Sequence, residues 1–153
     1  MVALRTRFAS VADVEVMIIG QNRPAINITL QGSPIAQERH RAVRTHQGRL
    51  VRFYNPNLRS QRVLRRALRQ AMADVGITTF PFFPPDARLK LTASFGLSNL
   101  AKDVDNLTKY LMDGLETVLY ANDNMIFDQH GTKRPMRIDQ QFSEFTVELW
   151  DGL

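Results

Sequence analysis

With 153 residues, the chain is long enough for one hydrophobic core and too short for two ordinary domains. It contains no cysteine, which excludes disulfide bridges, thiolate-bound zinc or iron–sulfur sites and a thiol nucleophile. A reducing cytoplasm is the simplest compartment for such a chain. The sequence also lacks the apolar run of about 18 residues that predicts a membrane-spanning helix.

The net charge of +5 is distributed unevenly along the chain. Residues 1–100 contain fifteen of the twenty Lys and Arg residues but only five of the fifteen acids. Residues 101–153 contain five basic and ten acidic residues. A basic body with a local acidic cluster is typical of a protein that binds a polyanion and also gathers carboxylates around a cation. Basic proteins are common, however, so charge alone does not identify a nucleic-acid partner.

The N-terminal part of the chain predicts two strands. Residues 1–25 are interpreted as an N-terminal extension that precedes one domain of residues 26–153. The extension contains an apolar stretch, Val14–Ile19, that predicts a short strand. In Ile26–Leu30 apolar and polar residues alternate, which is the periodicity of a half-buried strand.

A polar, arginine-rich loop is predicted over Arg39–Arg49, followed by a strand at Leu50–Tyr54 and a helix over 58–75. Asn57 is the predicted N-cap of that helix and Gly76 its C-terminal stop. The helix has an apolar stripe on one face and arginines at three- and four-residue spacing on another. The predicted stripe consists of Leu64, Leu68, Ala71 and Val75.

The C-terminal half predicts a second helix between strands. Thr78–Asp86, rich in Pro and Phe, predicts an irregular connector, and the alternation in Arg88–Phe95 predicts a strand. Leucines at helical spacing predict a helix over 104–119. The remaining predicted elements are strands at Met125–Phe127 and Ser143–Leu149 and a turn at Gly131–Met136. Together these elements predict an α+β domain in which a small mixed β-sheet packs with two main helices.

Two aspartates, Asp103 and Asp105, lie between a predicted strand and the first turn of the second helix. Residues two apart in extended backbone point the same way, so both carboxylates can approach one point. Lys109 follows Asp105 by four residues on the same helical face, and Asp123 precedes the next strand. Carboxylates without His or Cys favour a hard cation, Mg²⁺ or Mn²⁺. A D-x-D pattern is weak by itself, and solvated acids that cap the helix are the alternative.

Ten arginines and no acidic residue occur between Arg39 and Arg69. The planar guanidinium group suits bidentate contacts with phosphate, so a DNA partner would account for this run. For the arginines within the helix, a solvated face is the alternative. The predicted DNA-binding residues are Arg39, Arg41, Arg44, Arg59, Arg62, Arg66 and Arg69.

The acidic motif continues through the stretches Lys102-Asp-Val-Asp-Asn-Leu-Thr-Lys109, Leu111-Met-Asp-Gly-Leu115 and Tyr120-Ala-Asn-Asp123. This pattern resembles the signature of the RusA-type Holliday junction resolvases. The resemblance covers about residues 26–149 and implies the small α+β fold of that family. It also implies that Asp103, Asp105 and Asp123 are catalytic acids that bind the metal, and that Lys109 is a base-like or charge-stabilising catalytic lysine.

The function implied by the resemblance is a Mg²⁺-dependent endodeoxyribonuclease that resolves four-way DNA junctions by paired phosphodiester hydrolysis. The resemblance further implies a homodimer that acts in the cytoplasm of a bacterium or of a phage or prophage host. Asn122 and Met125 depart from the family pattern, which usually has an acid and often Gln there. An inactive relative that binds junctions is therefore one alternative. A D-x-D metal-dependent transferase is another, although it gives no reason for the arginines.

Overall fold

The computed structural model describes residues 11–19, 23–38 and 41–152, without the side chains of residues 18, 19, 41–44 and 50–54. The described part of the chain forms seven strands and two α-helices. The strands are β1 (Val11–Ile19), β2 (Arg23–Gln31), β3 (Arg41–Arg44), β4 (Leu50–Tyr54), β5 (Leu89–Leu97), β6 (Ile126–Pro135) and β7 (Phe142–Leu149). The helices are α1 (Leu58–Asp74) and α2 (Val104–Gly114), and short 3₁₀ turns occur at Asp123–Met125 and Ile138–Gln140.

Five strands form one mixed sheet in the order β1-β2-β7-β5-β6. All neighbours in it are antiparallel except β5 and β6, which pair in parallel. Strands β3 and β4 form a separate antiparallel hairpin. The α+β class, with a mixed sheet and two helices, is thus as the sequence predicts. None of the helices in the described ranges is both long and apolar enough to cross a membrane.

The strand predicted from the alternation in Arg88–Phe95 is confirmed as β5. The four residues predicted to be buried on this strand, Leu89, Leu91, Ala93 and Phe95, are all at most 2% exposed. Their side chains share one core with those of β2, β7 and both helices. Alternation is a reliable signal here because one face of the strand meets the helices while the other faces solvent.

Helix α1 begins and ends close to the predicted residues. Gly76 has a φ of 91°, the left-handed conformation expected of a glycine just beyond a helix. The predicted apolar stripe is correct for Leu64 and Leu68, which are fully buried. It is wrong for Val75, which is 53% exposed because the helix ends at Asp74 and Val75 lies past its last turn.

The arginine-rich segment is more ordered than predicted. Of the loop expected over Arg39–Arg49, Arg41–Arg44 is strand β3, which pairs with β4. The four residues of β3, Arg-Ala-Val-Arg, show no alternation of apolar and polar residues, which is the pattern that predicts a strand. Strand β1 extends the predicted Val14–Ile19 and pairs with β2 along most of its length. The division of the chain at residue 25 remains a prediction.

Helix α2 is shorter than the predicted 104–119 and ends at Gly114. A Cβ added to Gly114 would lie only 2.9 Å from Leu64, so this residue lets α1 approach closely. The chain then turns through Thr117, whose φ is 69° and whose N–H donates to the carbonyl of Tyr120 (2.7 Å). The apolar residues after Gly114 are buried as predicted, but within a turn that directs the chain back along α2.

Strand β6 replaces a predicted turn. The strand predicted at Met125–Phe127 is the start of β6. The turn predicted at Gly131–Met136 is wrong, because β6 continues to Pro135 in parallel with β5. Most of its residues are exposed because it lies at the edge of the sheet, so its sequence lacks apolar alternation. Gly131 permits close packing on α2, since an added Cβ would lie 2.6 Å from Oγ1 of Thr108.

Candidate active site

Helix α2 places acids and a lysine on one face. Asp105, Lys109 and Asp113 follow one another at four-residue intervals, a spacing that aligns side chains along a helix. Asp103 precedes the helix as its N-cap, and its Oδ1 accepts a hydrogen bond from the backbone N–H of Asp105 (2.9 Å). Asp103 therefore caps the helix, as the helix-capping alternative predicts. Asp105 lies in the first turn and is exposed.

Lys109 connects α2 to the start of β6. Its Nζ lies 2.6 Å from Oδ2 of Asp123 and 2.9 Å from Oδ1 of Asp113. Asp123 reaches this position because the chain turns back after Gly114 and passes beside the C-terminal half of α2. The structure thus brings together Lys109 and Asp123, two of the four residues predicted to be catalytic.

Two further acids, to which the sequence analysis assigned no role, complete the cluster. Oxygen atoms of Asp113, Glu116 and Asp123 all lie within 4.8 Å of one another, and these three residues are half-buried. Glu116 also accepts a hydrogen bond from the backbone N–H of Asp123 (3.2 Å). The spacing Lys109-x₃-Asp113-x₂-Glu116 is visible in the sequence and could have indicated the cluster.

Asp103 and Asp105 are not members of this cluster. Asp105 lies one helical turn before Lys109, so its carboxylate is on the same face of α2. The assignment of metal binding to Asp103, Asp105 and Asp123 stays a prediction. Asp123 is common to the predicted set and to the observed cluster.

The environment of the cluster changes the ionisation of two members. Burial lowers the pKa of Lys109, but the hydrogen bonds and charges of Asp123 and Asp113 outweigh this effect and hold the pKa well above its usual value. Burial raises the pKa of Glu116, and the negative charges of Asp123 and Asp113 raise it further. Lys109 is therefore cationic at neutral pH, which favours charge stabilisation over proton abstraction.

The segment before Asp103 is fixed by two lysines. Lys133 on β6 donates to the carbonyl oxygens of Leu100 (2.9 Å) and Lys102 (3.0 Å). Lys102 in turn donates to the carbonyl of Pro34 (2.6 Å). These contacts attach the start of α2 both to the edge strand and to the segment after β2.

Helix α1 brings arginines to the other side of the cluster. Arg65 donates through Nη2 to the carbonyl of Asp113 (2.7 Å), and Arg69 donates through Nη2 to Oγ1 of Thr117 (2.8 Å). Arg59, Arg62 and Arg66 are exposed on the same helix. Among the other predicted DNA-binding residues, Arg39 lies outside the described residues, and Arg41 and Arg44 lie on β3 with their side chains outside the description.

The family profile described as Endodeoxyribonuclease RusA matches residues 31–139, which is most of the chain. The chain belongs to the RusA family. Members of this family are divalent-metal-dependent endodeoxyribonucleases that resolve Holliday junctions. No curated protein matches the sequence significantly. Family membership confirms the predicted endonuclease class and disfavours the transferase alternative.

The acids present fit the divalent cation on which RusA enzymes depend. The cluster of Asp113, Glu116 and Asp123 offers carboxylate oxygens, the donor type that hard cations such as Mg²⁺ and Mn²⁺ prefer. Lys109 supplies a positive charge in the same place. Such an arrangement can hold a cation next to a lysine that stabilises developing negative charge.

The two departures from the family pattern have structural roles. The side chain of Asn122 accepts a hydrogen bond from the backbone N–H of Asn124 (2.9 Å) and so caps the 3₁₀ turn that contains Asp123. Met125 is 7% exposed and packs in the core. Both residues therefore support the position of Asp123.

Proposed function

We propose that the protein is a Mg²⁺-dependent resolvase that cuts four-way DNA junctions by paired phosphodiester hydrolysis, with Mn²⁺ as a substitute. The observation that carries the proposal is the group of three carboxylates within 4.8 Å around Lys109, beside an arginine-rich helix. A basic surface next to a carboxylate cluster combines phosphate binding with cation binding. In this proposal the enzyme acts as a homodimer in the cytoplasm, because a two-fold dimer matches the symmetry of a four-way junction.

Asp103, Asp105 and Asp123 are proposed as the metal-binding acids, with Asp113 and Glu116 as a second group that shares Asp123. A cation held by these acids would supply polarisation of the phosphodiester and activation of water. Lys109 stabilises the negative charge that develops on the phosphoryl oxygens, because its raised pKa keeps it protonated. Asp113 and Asp123 hold its ammonium group in place through the ion pairs described above.

The seven predicted arginines are proposed to bind the DNA backbone. They are Arg39, Arg41, Arg44, Arg59, Arg62, Arg66 and Arg69. Guanidinium groups contact phosphate oxygens through paired N–H donors, and each neutralised phosphate makes binding more sensitive to salt. Binding should therefore weaken steeply between low and moderate salt concentrations.

The proposal is tested by cleavage of a synthetic mobile four-way junction and of matched linear duplex, in Mg²⁺, Mn²⁺ or EDTA. The variants are Asp105→Asn, Asp113→Asn and Asp123→Asn, with Asp86→Asn in the exposed connector as the control. We expect paired, metal-dependent nicks on opposing strands, and their loss in Asp105→Asn and Asp123→Asn. Tight junction binding without cleavage in either metal would refute the catalytic proposal.

The three variants also separate the two acidic groups. Loss of cleavage in Asp105→Asn with activity kept in Asp113→Asn assigns the metal to the predicted acids. The reverse result assigns it to Asp113 and Glu116. Sedimentation of the free and junction-bound protein tests the homodimer, and a monomer with one nick per junction would contradict it.

A further inference from the structure

An open groove of about 630 Å³ lies between α1 and the turn that follows α2. Four arginines of α1 line one wall, namely Arg62, Arg65, Arg66 and Arg69, and Thr117 lies on the other. Three of these arginines are among the predicted DNA-binding residues, and Arg65 is an addition. Arg59, although on the same helix, does not line the groove.

The positive charge in this groove has no counter-charge among the described residues that line it, none of which is acidic. Arg65 and Arg69 use their Nη2 atoms for the contacts with the Asp113 carbonyl and Thr117. Arg62 and Arg66 make no hydrogen bond or ion pair with any residue that the structure describes. Arg65 interacts with the charge of Glu116 in the neighbouring cluster, but no acid lines the groove beside Arg62 and Arg66. The guanidinium groups along this wall therefore repel one another, and an anion in the groove would relieve that repulsion.

The groove is adjacent to the carboxylate cluster. Two of its arginines contact the segment that carries Glu116. Arg65 binds the carbonyl of Asp113, before Glu116 in the sequence, and Arg69 binds the side chain of Thr117, directly after it. The Nε of Arg65 is buried and has no partner among the described residues. One wall of the groove is therefore continuous with the backbone that carries two of the clustered acids.

We propose that this groove binds a backbone phosphate of the cleaved DNA strand, next to the phosphodiester at the carboxylate cluster. Arg62 and Arg66 contact that phosphate. Arg65 and Arg69 shape the groove through their contacts with the Asp113 carbonyl and Thr117, and Arg69 offers its remaining N–H donors to the DNA backbone. Successive charges along one strand lie only about 3.4 Å apart along the axis, so a strand at the cluster also reaches the groove. The inference rests on the proposed nuclease function and adds a defined phosphate position to it.

The experiment measures binding of a four-way junction in EDTA, where cleavage does not interfere. Single uncharged methylphosphonate linkages replace the phosphates on either side of the cut, one at a time. The proteins are the wild type, Arg62→Ala/Arg66→Ala, and Arg134→Ala as a control from the exposed part of β6 outside the groove. Because the exposed side chains of Arg62 and Arg66 make no hydrogen bond or ion pair with the described residues, the double variant should fold normally, which its thermal midpoint verifies.

We expect the double variant to bind the unmodified junction roughly tenfold more weakly, with a salt slope lower by about 1 to 2. In the wild type, an uncharged linkage within about two nucleotides of the cut should weaken binding. In the double variant that same linkage should have no further effect. Arg134→Ala should keep the full effect of the linkage.

Two results would overturn the inference and leave the nuclease function intact. One is a double variant that binds and cuts like Arg134→Ala. The other is a double variant whose sensitivity to the uncharged linkages near the cut is unchanged, or is lost only at phosphates remote from the cut. A wild-type protein that neither binds nor cuts the junction would instead refute the proposed function, and the groove assignment with it.

Discussion

The ammonium group of Lys109 lies 2.6 Å from Oδ2 of Asp123, although fourteen residues separate the two in the sequence. The contact forms because the chain turns back after Gly114, so the start of β6 meets the middle of α2. Lys109 thereby partly neutralises a cluster of three acids. A divalent cation bound at these carboxylates would act on the same groups as Lys109, so we expect the stability of the protein and its response to metal to be coupled.

Replacing Lys109 with Met should destabilise the metal-free protein by about 1 kcal/mol, because its two ion pairs are half-exposed and each contributes modestly. The loss leaves the carboxylates of Asp113 and Asp123 without their cation, so Mg²⁺ should raise the thermal midpoint more in Lys109→Met than in the wild type. Thermal denaturation with and without Mg²⁺ measures both effects. A Mg²⁺ response that is smaller in the variant would contradict the shared role of these acids.

The difference in stability between the wild type and Lys109→Met should not depend on pH across the neutral range. The pKa of Lys109 is raised, so its stabilising effect is complete below the pKa of an unfolded lysine, about 10.4. That effect disappears only as the pH rises through the higher folded-state pKa. Denaturant unfolding of wild type and Lys109→Met from about pH 6 to about pH 9 should give parallel curves. A difference that shrinks as the pH rises within that range would show that the lysine titrates there.

Glu116→Gln should stabilise the metal-free protein and weaken its response to Mg²⁺. Burial and two neighbouring carboxylates raise the pKa of Glu116, so its ionised form destabilises the folded state at neutral pH. The free energy of unfolding of the wild type should therefore increase as the pH falls through the folded-state pKa of Glu116. In Glu116→Gln this increase should be absent. The amide oxygen of Gln can still accept the hydrogen bond from the Asp123 N–H.

Unfolding in EDTA between about pH 4 and about pH 8 tests this expectation. Glu144→Gln, at an exposed position on β7, is the matched control and should leave the pH dependence as it is in the wild type. A Glu116→Gln variant that is less stable than the wild type at neutral pH would show that the carboxylate has a structural role.

The fold could be predicted where burial alternates or recurs regularly. The alternation over Leu89–Phe95 identified β5, and Leu64 and Leu68 identified the buried face of α1. The end of α2 could not be predicted, because Leu115 and Val118 keep helical spacing while they are buried in a turn. The strand predicted at Met125–Phe127 covers only the start of β6. The rest of this strand could not be predicted, because an exposed edge strand has no apolar face to indicate it.

The candidate site could be predicted only in part, because the turn after Gly114 could not be predicted. Lys109 and Asp123 were identified through the family motif, and the structure places them in contact. Asp113 and Glu116 were overlooked because the predicted helix over 104–119 does not bend back at Gly114. Only the turn after that residue brings Glu116 to the N–H of Asp123.

Substitutions of Asp103 should separate helix capping from metal binding. Asp103→Ala removes the acceptor for the Asp105 N–H and should cost about 1 kcal/mol of stability. Asp103→Asn keeps an acceptor of similar capping strength, so its thermal midpoint should match the wild type. If Asp103 binds the metal, Asp103→Asn should nevertheless cut junctions at least roughly tenfold more slowly than the wild type, despite its normal stability. If Asp103→Asn cuts junctions at the wild-type rate, Asp103 caps the helix and does not bind the metal.

Gly131→Ala should destabilise the protein by about 1 to 3 kcal/mol, because the added methyl group meets a packed helix. The Cβ would lie 2.6 Å from Oγ1 of Thr108 and 2.9 Å from Cγ2 of Val104. Thr108→Ala removes the nearer atom and should recover part of the loss in the double variant. Additive losses in denaturant unfolding would argue against direct contact between the two positions.

Asn57→Ser should destabilise the protein although serine is a good N-cap. Asn57 precedes α1 as predicted, but its side chain makes no capping hydrogen bond. It is 1% exposed, accepts a hydrogen bond from the N–H of Glu38 (2.7 Å) and donates to the carbonyl of Ala36 (3.3 Å). The shorter serine cannot reach both groups, and leaving them unsatisfied should cost about 1 to 3 kcal/mol. Because this segment leads into the arginine-rich hairpin, amide hydrogen exchange at Glu38 should accelerate. Unchanged exchange and stability would show that capping is all that the position requires.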